Sequence, residues 1–365
     1  FLMMEMQLGG IGIVVLISYL FVVMDKKITV SSMLLLSKDQ NQAKLSSITS
    51  LGISVLVIAL LVEIICFFIL YGEIRPRYDN TWDAAFVSAF HAVASFTNSG
   101  FDLFGDSLIS FKHNHLFLIT TAFTIFLGSL GYPTLVEYFL SFRRKKSLFT
   151  KINIRLHFLL LFLGMAAFYF FEANNMFSGL SIWERLSNSL FFSATARNGG
   201  LTTIDVSQIT ITTFLFLTLF MFIGGASSST GGGIRLTTFA VLISKVLAVA
   251  KSQKEVVIYK KTISQEAVDK SFMVFFTFMV LFFGSTILLT IFQPQPLEPL
   301  MFEVLSALTN TGLSFGITQE LTSISKGILI TLMIIGRIGV FSFIYTIFKV
   351  EKVKTRYLKE DLAVG

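Results

Sequence analysis

Seven long apolar runs constrain the folding of this 365-residue chain more than any other feature. A helix needs about 20 apolar residues to cross the ~30 Å hydrocarbon core of a bilayer. The chain is also poor in water-facing side chains, since 14% of its residues are charged, against about a quarter in soluble domains. We therefore predict an all-α polytopic membrane protein. The runs lie at 8–24, 48–71, 115–140, 152–172, 209–223 with a continuation to about 250, 270–293 and 326–349.

Three shorter amphipathic runs of 13 to 16 residues lie between the long ones, at 82–97, 181–196 and 298–310. They are too short to span a bilayer as helices. Each begins at or beside an acidic residue, which favours a helix N-terminus, and each ends in small polar residues and glycine. A half-length helix followed by Gly-rich backbone at membrane depth is typical of a re-entrant segment.

The basic residues are concentrated in four segments, 25–47, 141–155, 245–270 and 349–365, which together hold 21 of the 29 Lys and Arg residues. All four segments lie on one side of the membrane if each unit between them crosses twice and re-enters once. The positive-inside rule then assigns that side to the cytoplasm. Topology and anionic membrane lipid therefore account for the net charge of +7, and a nucleic-acid partner is not required. The first segment contains Lys26, Lys27, Lys38 and Lys44.

Three sites in the sequence are alike, at 95–101, 194–201 and 307–313. Each follows a short predicted helix and carries Asn two residues before a glycine, and a large apolar residue comes next. A second glycine signature follows each site, and the first and second glycines are separated by 28, 24 and 24 residues. A fixed order at nearly fixed spacing indicates duplicated units of helix, re-entrant half-helix, Gly loop and helix. The glycine pairs are Gly100 with Gly128, Gly200 with Gly224, and Gly312 with Gly336.

A further copy of the second signature surrounds Gly9, so the same spacing puts a partner glycine about 15 to 19 residues before Phe1. We therefore expect a complete protein with four repeats, of which the first is only partly present in this chain. The predicted divisions are 1–47 for the last helix of repeat 1 and a cytoplasmic loop, 48–147 for repeat 2, 148–265 for repeat 3, 266–349 for repeat 4, and 350–365 for a cytoplasmic tail.

The glycine loops that end the short helices suit a cation pathway. Glycine lets backbone carbonyls approach an axis closely, and rings of carbonyl oxygens can replace the hydration shell of a cation. The helix ends that point at the loops are partly negative, which also favours a cation. One such loop would be a simple helix C-cap, but three matched copies favour a filter. The candidate filter residues are Thr97, Asn98, Ser99, Gly100, Asn198, Gly199, Gly200, Asn310, Thr311 and Gly312.

This pattern resembles the Trk/Ktr/HKT superfamily of potassium transporters from Gly9 to the end of the chain. The resemblance implies four helix–pore loop–helix repeats around a central pore. Residues 195–200 resemble the third filter of the family, although the family more usually has Pro where this chain has Ala196 and ends the motif in Thr-Ala-Gly. Residues 97–101 and 310–313 resemble the second and fourth filters.

A run of small residues interrupts the apolar run that starts at 209. Such residues cannot keep a stable helix, and in lipid their backbone needs a cavity or a protein partner. The resemblance implies an intramembrane gate loop below the filter. A phosphate-binding loop is disfavoured because Lys-Ser/Thr is missing after the glycines, and a flexible linker would not lie between membrane helices. The gate-loop residues are Gly224, Gly225, Ala226, Ser227, Ser228, Ser229, Thr230, Gly231, Gly232 and Gly233.

Arg337 lies inside the last apolar run, where a charge is costly unless it faces a cavity or a partner. The resemblance implies a basic residue that lines the pore near the gate loop. We hypothesise that Arg337 raises a barrier to cations and pairs with gate-loop carbonyls. The alternative is an arginine that extends to the membrane surface, which the apolar residues on both sides disfavour.

The remaining polar residues give no catalytic or nucleotide-binding motif, so an enzyme is not indicated. His91 is expected to pack against a neighbour, and His113 and His115 are expected to be exposed. His157 is a scattered histidine with no ligand pattern. Glu63, in an apolar helix, is expected to serve a partner helix or a dimer contact.

The predicted function is potassium uptake across a bacterial-type plasma membrane, with K⁺ as the transported ion and Na⁺ as a possible coupling ion. The resemblance implies a homodimer and a cytoplasmic ring of nucleotide-binding regulatory subunits. Length and the sequence at 236–239 favour the Ktr branch. The alternatives are a sodium-selective or sodium-coupled transporter of the same fold, a membrane-embedded enzyme and a structural membrane scaffold.

Overall fold

The computed structural model describes residues 1–11, 48–140, 145–340 and 343–344. Within these residues twelve α-helices account for most of the chain. The expected remainder of the repeat 1 helix, the loop with its four lysines and the cytoplasmic tail lie outside the described residues. The helices are α1 Leu2–Ile11, α2 Ile48–Ile74, α3 Thr81–Thr97, α4 His115–Ser129, α5 Tyr132–Leu140, α6 Leu148–Phe171, α7 Ile182–Asn198, α8 Ile211–Phe222, α9 Leu236–Ala250, α10 Gln265–Phe292, α11 Leu297–Thr309 and α12 Ser323–Ile338.

Three helical segments are long and apolar enough to cross a membrane, namely Ser54–Arg77, Leu148–Phe171 and Gln265–Phe292. Large apolar side chains such as Phe170 and Phe276 are exposed on their outer faces. In a soluble protein such surfaces would be costly, whereas lipid accommodates them. The predicted all-α polytopic membrane fold is confirmed.

Two of the predicted apolar runs are broken rather than continuous. The run at 115–140 is divided into α4 and α5, which meet at an angle of 103°. Gly131 at the bend has a left-handed φ of +82°, and Pro133 is the second residue of α5. Glycine alone adopts this φ without strain, and proline is well tolerated in the first turn of a helix. The run that starts at 209 is divided into α8 and α9 by the small-residue loop.

The three predicted half-helices are α3, α7 and α11, with bounds within two residues of those expected from the sequence. Asn80 caps α3 by accepting a hydrogen bond from the backbone of Trp82. Ser181 and Glu184 form a capping box at the start of α7. These caps satisfy backbone N–H groups that a helix leaves unpaired at its N-terminus.

A side-chain bond ties the end of each spanning helix to the N-cap residue of the helix that follows the half-helix. The sequence did not predict these bonds. Because the same link recurs at corresponding helix ends, it supports duplicated units independently of the glycine pattern. The three links join Asn114 Nδ2 to Glu73 Oε2 at 2.7 Å, Thr210 N to Glu172 Oε1 at 2.9 Å, and Gln293 Nε2 to Thr322 Oγ1 at 3.0 Å.

A two-residue hairpin is the one β-element among the described residues, and the sequence did not predict it. Val257–Ile258 (β1) pairs antiparallel with Lys261–Thr262 (β2). Tyr259 and Lys260 between the strands have φ values of 49° and 60°, as the turn of a tight hairpin requires. The guanidinium of Arg155 lies 4.8 Å from the centre of the Tyr259 ring, so the hairpin packs against the start of α6.

Candidate cation pathway

Three glycines from different half-helices meet at one point of the structure. Gly100, Gly200 and Gly312 have left-handed φ values of 73°, 68° and 86°. A Cβ atom on Gly200 would lie 2.9 Å from the Cα of Gly100 and 3.4 Å from that of Gly312. It would also lie 3.0 Å from the carbonyl oxygen of Thr311. Any residue larger than glycine is therefore excluded here both by backbone angle and by space.

In two of the three pairs, the second glycine allows the following helix to approach the end of a half-helix. A Cβ on Gly128 would overlap the carbonyl oxygen of Phe96, and a Cβ on Gly336 would overlap that of Leu308. Both carbonyls lie four residues before the convergent glycine of their own site. This equivalence gives a physical reason for the repeated spacing in the sequence.

Gly10 of α1 also lies against a half-helix, because a Cβ there would lie 2.5 Å from Cγ2 of Thr97. Ser99 Oγ donates to Met6 Sδ at 2.8 Å. Two predicted filter residues, Thr97 and Ser99, therefore contact α1, and the hydroxyl of Thr97 donates to the carbonyl of Val93 in its own helix.

The asparagines before these glycines point away from the meeting point. Asn98 Nδ2 donates to Ser129 Oγ at 3.0 Å and to Thr230 Oγ1 at 2.5 Å. Asn198 Oδ1 accepts from the backbone N–H of Gly232 at 2.6 Å. Two of the three asparagines therefore bind the small-residue loop rather than their own glycine loops.

The third asparagine, Asn310, binds a helix instead, since its Nδ2 donates to the carbonyl of Met333 in α12 at 3.2 Å. Like Asn98, it has a left-handed φ, near 50°, at the C-cap of its half-helix. Asn198 differs, because it is the last helical residue of α7 and Gly199 is the C-cap.

The small-residue loop is non-helical and largely buried between Phe222 and Leu236. Its two ends are held together by a parallel bridge between Ile223 and Ile234. Ala226 N donates to the carbonyl of Ser129 at 3.0 Å, and the Ser228 carbonyl accepts from Tyr132 N at 2.9 Å. Hydrogen bonds within the protein therefore pair these backbone groups, which would be costly to leave unpaired in lipid.

Arg337 reaches this loop from α12. Its Nη1 donates to the carbonyl of Thr230 at 2.6 Å, and its Nη2 donates to the carbonyl of Gly9 in α1. A second arginine, Arg235 at the end of the loop, donates to the carbonyls of Gly231 and Ala226. The guanidinium groups satisfy carbonyls that a helix would otherwise have paired. Arg235 was not singled out from the sequence, although a cation directly after the glycines was a usable signal.

A buried cation three residues before Gly200 was also missed. Arg197 is fully enclosed in α7, and its Nη1 and Nη2 lie 3.3 and 3.2 Å from the two ring nitrogens of His157. The His157 ring packs edge-on against Phe126. A charge directly after a stretch of small and apolar residues, 189–196, could have marked this position.

The other scattered polar residues have structural partners. His91 stacks on Phe117 with ring centres 4.9 Å apart, as its expected packing role requires. Glu63 Oε2 accepts from Gln7 Nε2 of α1 at 2.8 Å. His115 is half-buried and bonds Ser187 through Nδ1 at 3.0 Å, so the expectation that it is exposed was wrong.

His113 and Glu184 lie at the outer end of the bundle, the end at which the half-helices begin. His113 Nδ1 lies 2.8 Å from Glu184 Oε1. The hydrogen bond from His113, with further bonds from Ser181, lowers the pKa of Glu184 from 4.5 to about 2. At the same end, hydrogen bonds from Ser207 lower the pKa of Asp205. Both carboxylates stay charged in mildly acidic medium.

This bundle of apolar helices around convergent glycine loops defines a polytopic membrane protein. Residues 1–355 match the TrkH family, described as cation transport proteins, so the chain belongs to that family. As the sequence indicated, it is a transporter and not an enzyme. Family membership and the apolar helices confirm the expected multi-pass location in the plasma membrane.

Several relatives are similar over nearly the whole chain. The Ktr system potassium uptake protein D of Bacillus subtilis is 37% identical over 366 residues, covering 99% of this chain and 82% of the relative. The Ktr system potassium uptake protein B of the same species is 31% identical and covers 98% and 81%. The potassium/sodium uptake protein NtpJ of Enterococcus hirae is 31% identical and covers 100% and 83%.

The fold is also similar to a solved transporter. The crystal structure of the potassium transporter TrkH from Vibrio parahaemolyticus superposes with a TM-score of 0.70 at 16% identity. The match covers 87% of this chain and 68% of that one. At this identity the likeness concerns the fold.

Proposed function

We propose that this protein takes up potassium across the plasma membrane through a filter of backbone carbonyls. The convergence of Gly100, Gly200 and Gly312, all with left-handed φ, is the observation that carries the proposal. Loops held in this way can turn carbonyl oxygens toward a dehydrated cation. Two relatives named as Ktr potassium uptake proteins support potassium as the ion.

The half-helices support cation transport by their direction. Each ends two or three residues before its convergent glycine, so the partly negative C-terminal end of the helix lies next to the meeting point. The proposed filter residues are Thr97, Asn98, Ser99, Gly100, Asn198, Gly199, Gly200, Asn310, Thr311 and Gly312.

We propose that the loop from Gly224 to Gly233, with Arg337, is the gate. Arg337 and Asn98 donate hydrogen bonds to Thr230, and the backbone N–H of Gly232 donates to Asn198. These bonds support the proposal because they hold the loop beside the half-helix ends. A cation that left the filter toward α9 would meet this loop and a fixed positive charge. Inward movement down the membrane potential supplies roughly 2.3 kcal/mol per 100 mV.

The repeat division is part of the same proposal. It divides the chain into three equivalent units, 48–147, 148–265 and 266–349, with 1–47 as the end of a first unit and 350–365 as a tail. The recurring links between spanning helices and N-caps support the equivalence of the three units.

The proposed assembly is a homodimer with a cytoplasmic ring of nucleotide-binding subunits. The support is the name of the relatives as components of a Ktr system, together with exposed apolar faces on the long helices. Sodium is the second candidate ion, as coupling ion or as substrate, because the NtpJ relative is named a potassium/sodium uptake protein.

Ion uptake by the full-length protein in proteoliposomes, driven by an inside-negative potential, tests the function. We expect potassium uptake that exceeds sodium uptake and that stops when the potential is collapsed. Uptake of sodium alone would favour the second candidate, and absence of any ion flux from correctly inserted protein would refute transport.

A further inference from the structure

Glu303 is a carboxylate buried inside a half-helix. It lies in the second half of α11 with 5% of its surface exposed. The acidic residues in the first turns of the half-helices are different, since Asp83 and Glu298 are exposed and Glu184 is only half-buried. Those residues favour helix N-termini, a role that a carboxylate near the middle of a helix cannot have.

The carboxylate holds the segment that follows Gly312. Glu303 Oε1 accepts from Ser314 Oγ at 2.6 Å and from Phe315 N at 3.0 Å. Oε2 accepts from Thr318 Oγ1 at 2.9 Å. Ser314 Oγ in turn accepts from the backbone N–H of Gly316 at 2.9 Å. One buried side chain thus satisfies, directly or through Ser314, two backbone donors of the partly exposed turn at 314–316.

Among the described residues, the groups that bond the Glu303 carboxylate are two hydroxyls and a backbone N–H. The three bonds to the carboxylate and the bond from Gly316 N to Ser314 Oγ together attach this segment to α11.

This attachment lies close in sequence to the meeting point of the glycines. Ser314 is two residues after Gly312, and a Cβ on Gly312 would lie 3.1 Å from the Cα of Gly200. Two residues of chain span at most about 7 Å, so movement at Ser314 shifts Gly312. After Gly200, the segment is held by a neutral residue instead, since Asn188 Oδ1 of α7 accepts from Thr203 Oγ1 at 2.7 Å.

We propose that Glu303 is a positioning residue that fixes the segment after Gly312 and thereby determines discrimination between potassium and sodium. This inference rests on the proposed function. A filter distinguishes cations by the number and placement of its oxygens. If the loop at Gly312 is loosened, we therefore expect the protein to lose ion discrimination more than transport rate.

The test measures potassium and sodium uptake by proteoliposomes that contain the full-length protein. Glu303→Leu removes all acceptors, whereas Glu303→Gln keeps an acceptor for Ser314 and Phe315 and offers a donor to Thr318. Ser314→Ala combined with Thr318→Val removes the two hydroxyl bonds to the carboxylate from outside the half-helix and keeps the bond from Phe315 N. Glu298→Gln, on the exposed face of α11, is the matched control.

We expect Glu303→Leu to lower the potassium-to-sodium uptake ratio at least about tenfold, as loss of a buried hydrogen-bond network implies. The Ser314/Thr318 variant should change the ratio in the same direction, and it decides the matter if Glu303→Leu fails to insert. Glu303→Gln should stay within about threefold of the wild type, and Glu298→Gln should be unchanged.

Equal losses of potassium and sodium flux at a constant ratio would overturn the proposal, as would an unchanged ratio in both Glu303→Leu and the Ser314/Thr318 variant. A Glu303→Gln protein as impaired as Glu303→Leu would also overturn it, because charge rather than hydrogen bonding would then be decisive. Failure of the proposed function is a separate outcome, recognised by wild-type protein that takes up no ion.

Discussion

Replacement of Gly200 by alanine perturbs the meeting point of the glycines most directly. The residue has a φ of +68°, and an alanine Cβ would lie 2.9 Å from the Cα of Gly100 and 3.0 Å from the Thr311 carbonyl oxygen. Both neighbours are backbone atoms, so they cannot move aside as a flexible side chain would. The strain must be relieved by separation of the three loops.

Two costs determine the size of the strain that Gly200→Ala introduces. A left-handed conformation costs a non-glycine residue about 1–2 kcal/mol. Insertion of a methyl group into a packed site typically costs about 1–3 kcal/mol. The sum is about 2–5 kcal/mol, and a penalty of about 3 kcal/mol on the conducting geometry lowers transport roughly 100-fold.

The assay compares potassium uptake by proteoliposomes that contain equal amounts of inserted protein. Gly179→Ala is the matched control, because Gly179 has a φ of +79° with no atom within 4 Å of an added Cβ. It carries the backbone cost without the crowding. We expect Gly179→Ala to keep wild-type uptake with a slightly lower melting temperature and Gly200→Ala to lose uptake.

Wild-type rate and ion preference in the Gly200→Ala protein would refute the reasoning, since the glycines could not then form the narrowest part of the pathway. An equal loss in Gly179→Ala would assign the effect to backbone strain alone.

Three further predictions concern the gate loop and the outer end. Arg337→Ala should raise basal potassium flux, because Thr230 loses its donor, and unchanged flux and gating would contradict the role of the arginine. Asn198→Ala leaves the buried N–H of Gly232 unpaired, so we expect about 1–3 kcal/mol lower stability, measured by thermal unfolding in detergent; an unchanged melting temperature would argue against it. Because the folded pKa of Glu184 is lowered to about 2, its stabilising effect is present above the ordinary value of 4.5 and is lost as pH falls toward 2. His113→Ala should raise that pKa in an NMR titration, and an unshifted value would show that His113 is not the cause.

Much of the fold could be predicted from the sequence because its signals are local. Apolar run length determines which segments can span a membrane, and the half-helices were expected to within two residues because acidic starts and glycine ends mark them. The bend at Gly131 was overlooked because apolar content continues through it, although the Gly131 and Pro133 pair is a local signal.

The candidate site was predictable only in part. Regular spacing identified Gly100, Gly200 and Gly312, but the partners of the neighbouring asparagines lie far along the chain. Asn98 bonds Thr230, 132 residues away. No periodicity of a helix indicates such a contact, so the sequence did not identify the partners of the asparagines.

Local signals in the sequence were sufficient to identify a helical membrane protein with glycine-ended half-helices at regular spacing. Run length, charge distribution and repeat spacing are properties of stretches of a few tens of residues, so they can be recognised without knowledge of the packing. The tertiary structure alone decided which groups meet. Arg337 and Thr230, 107 residues apart, are joined because α12 and the loop pack together. Glu303 likewise meets Thr318 because a buried carboxylate must find donors wherever the folded backbone presents them.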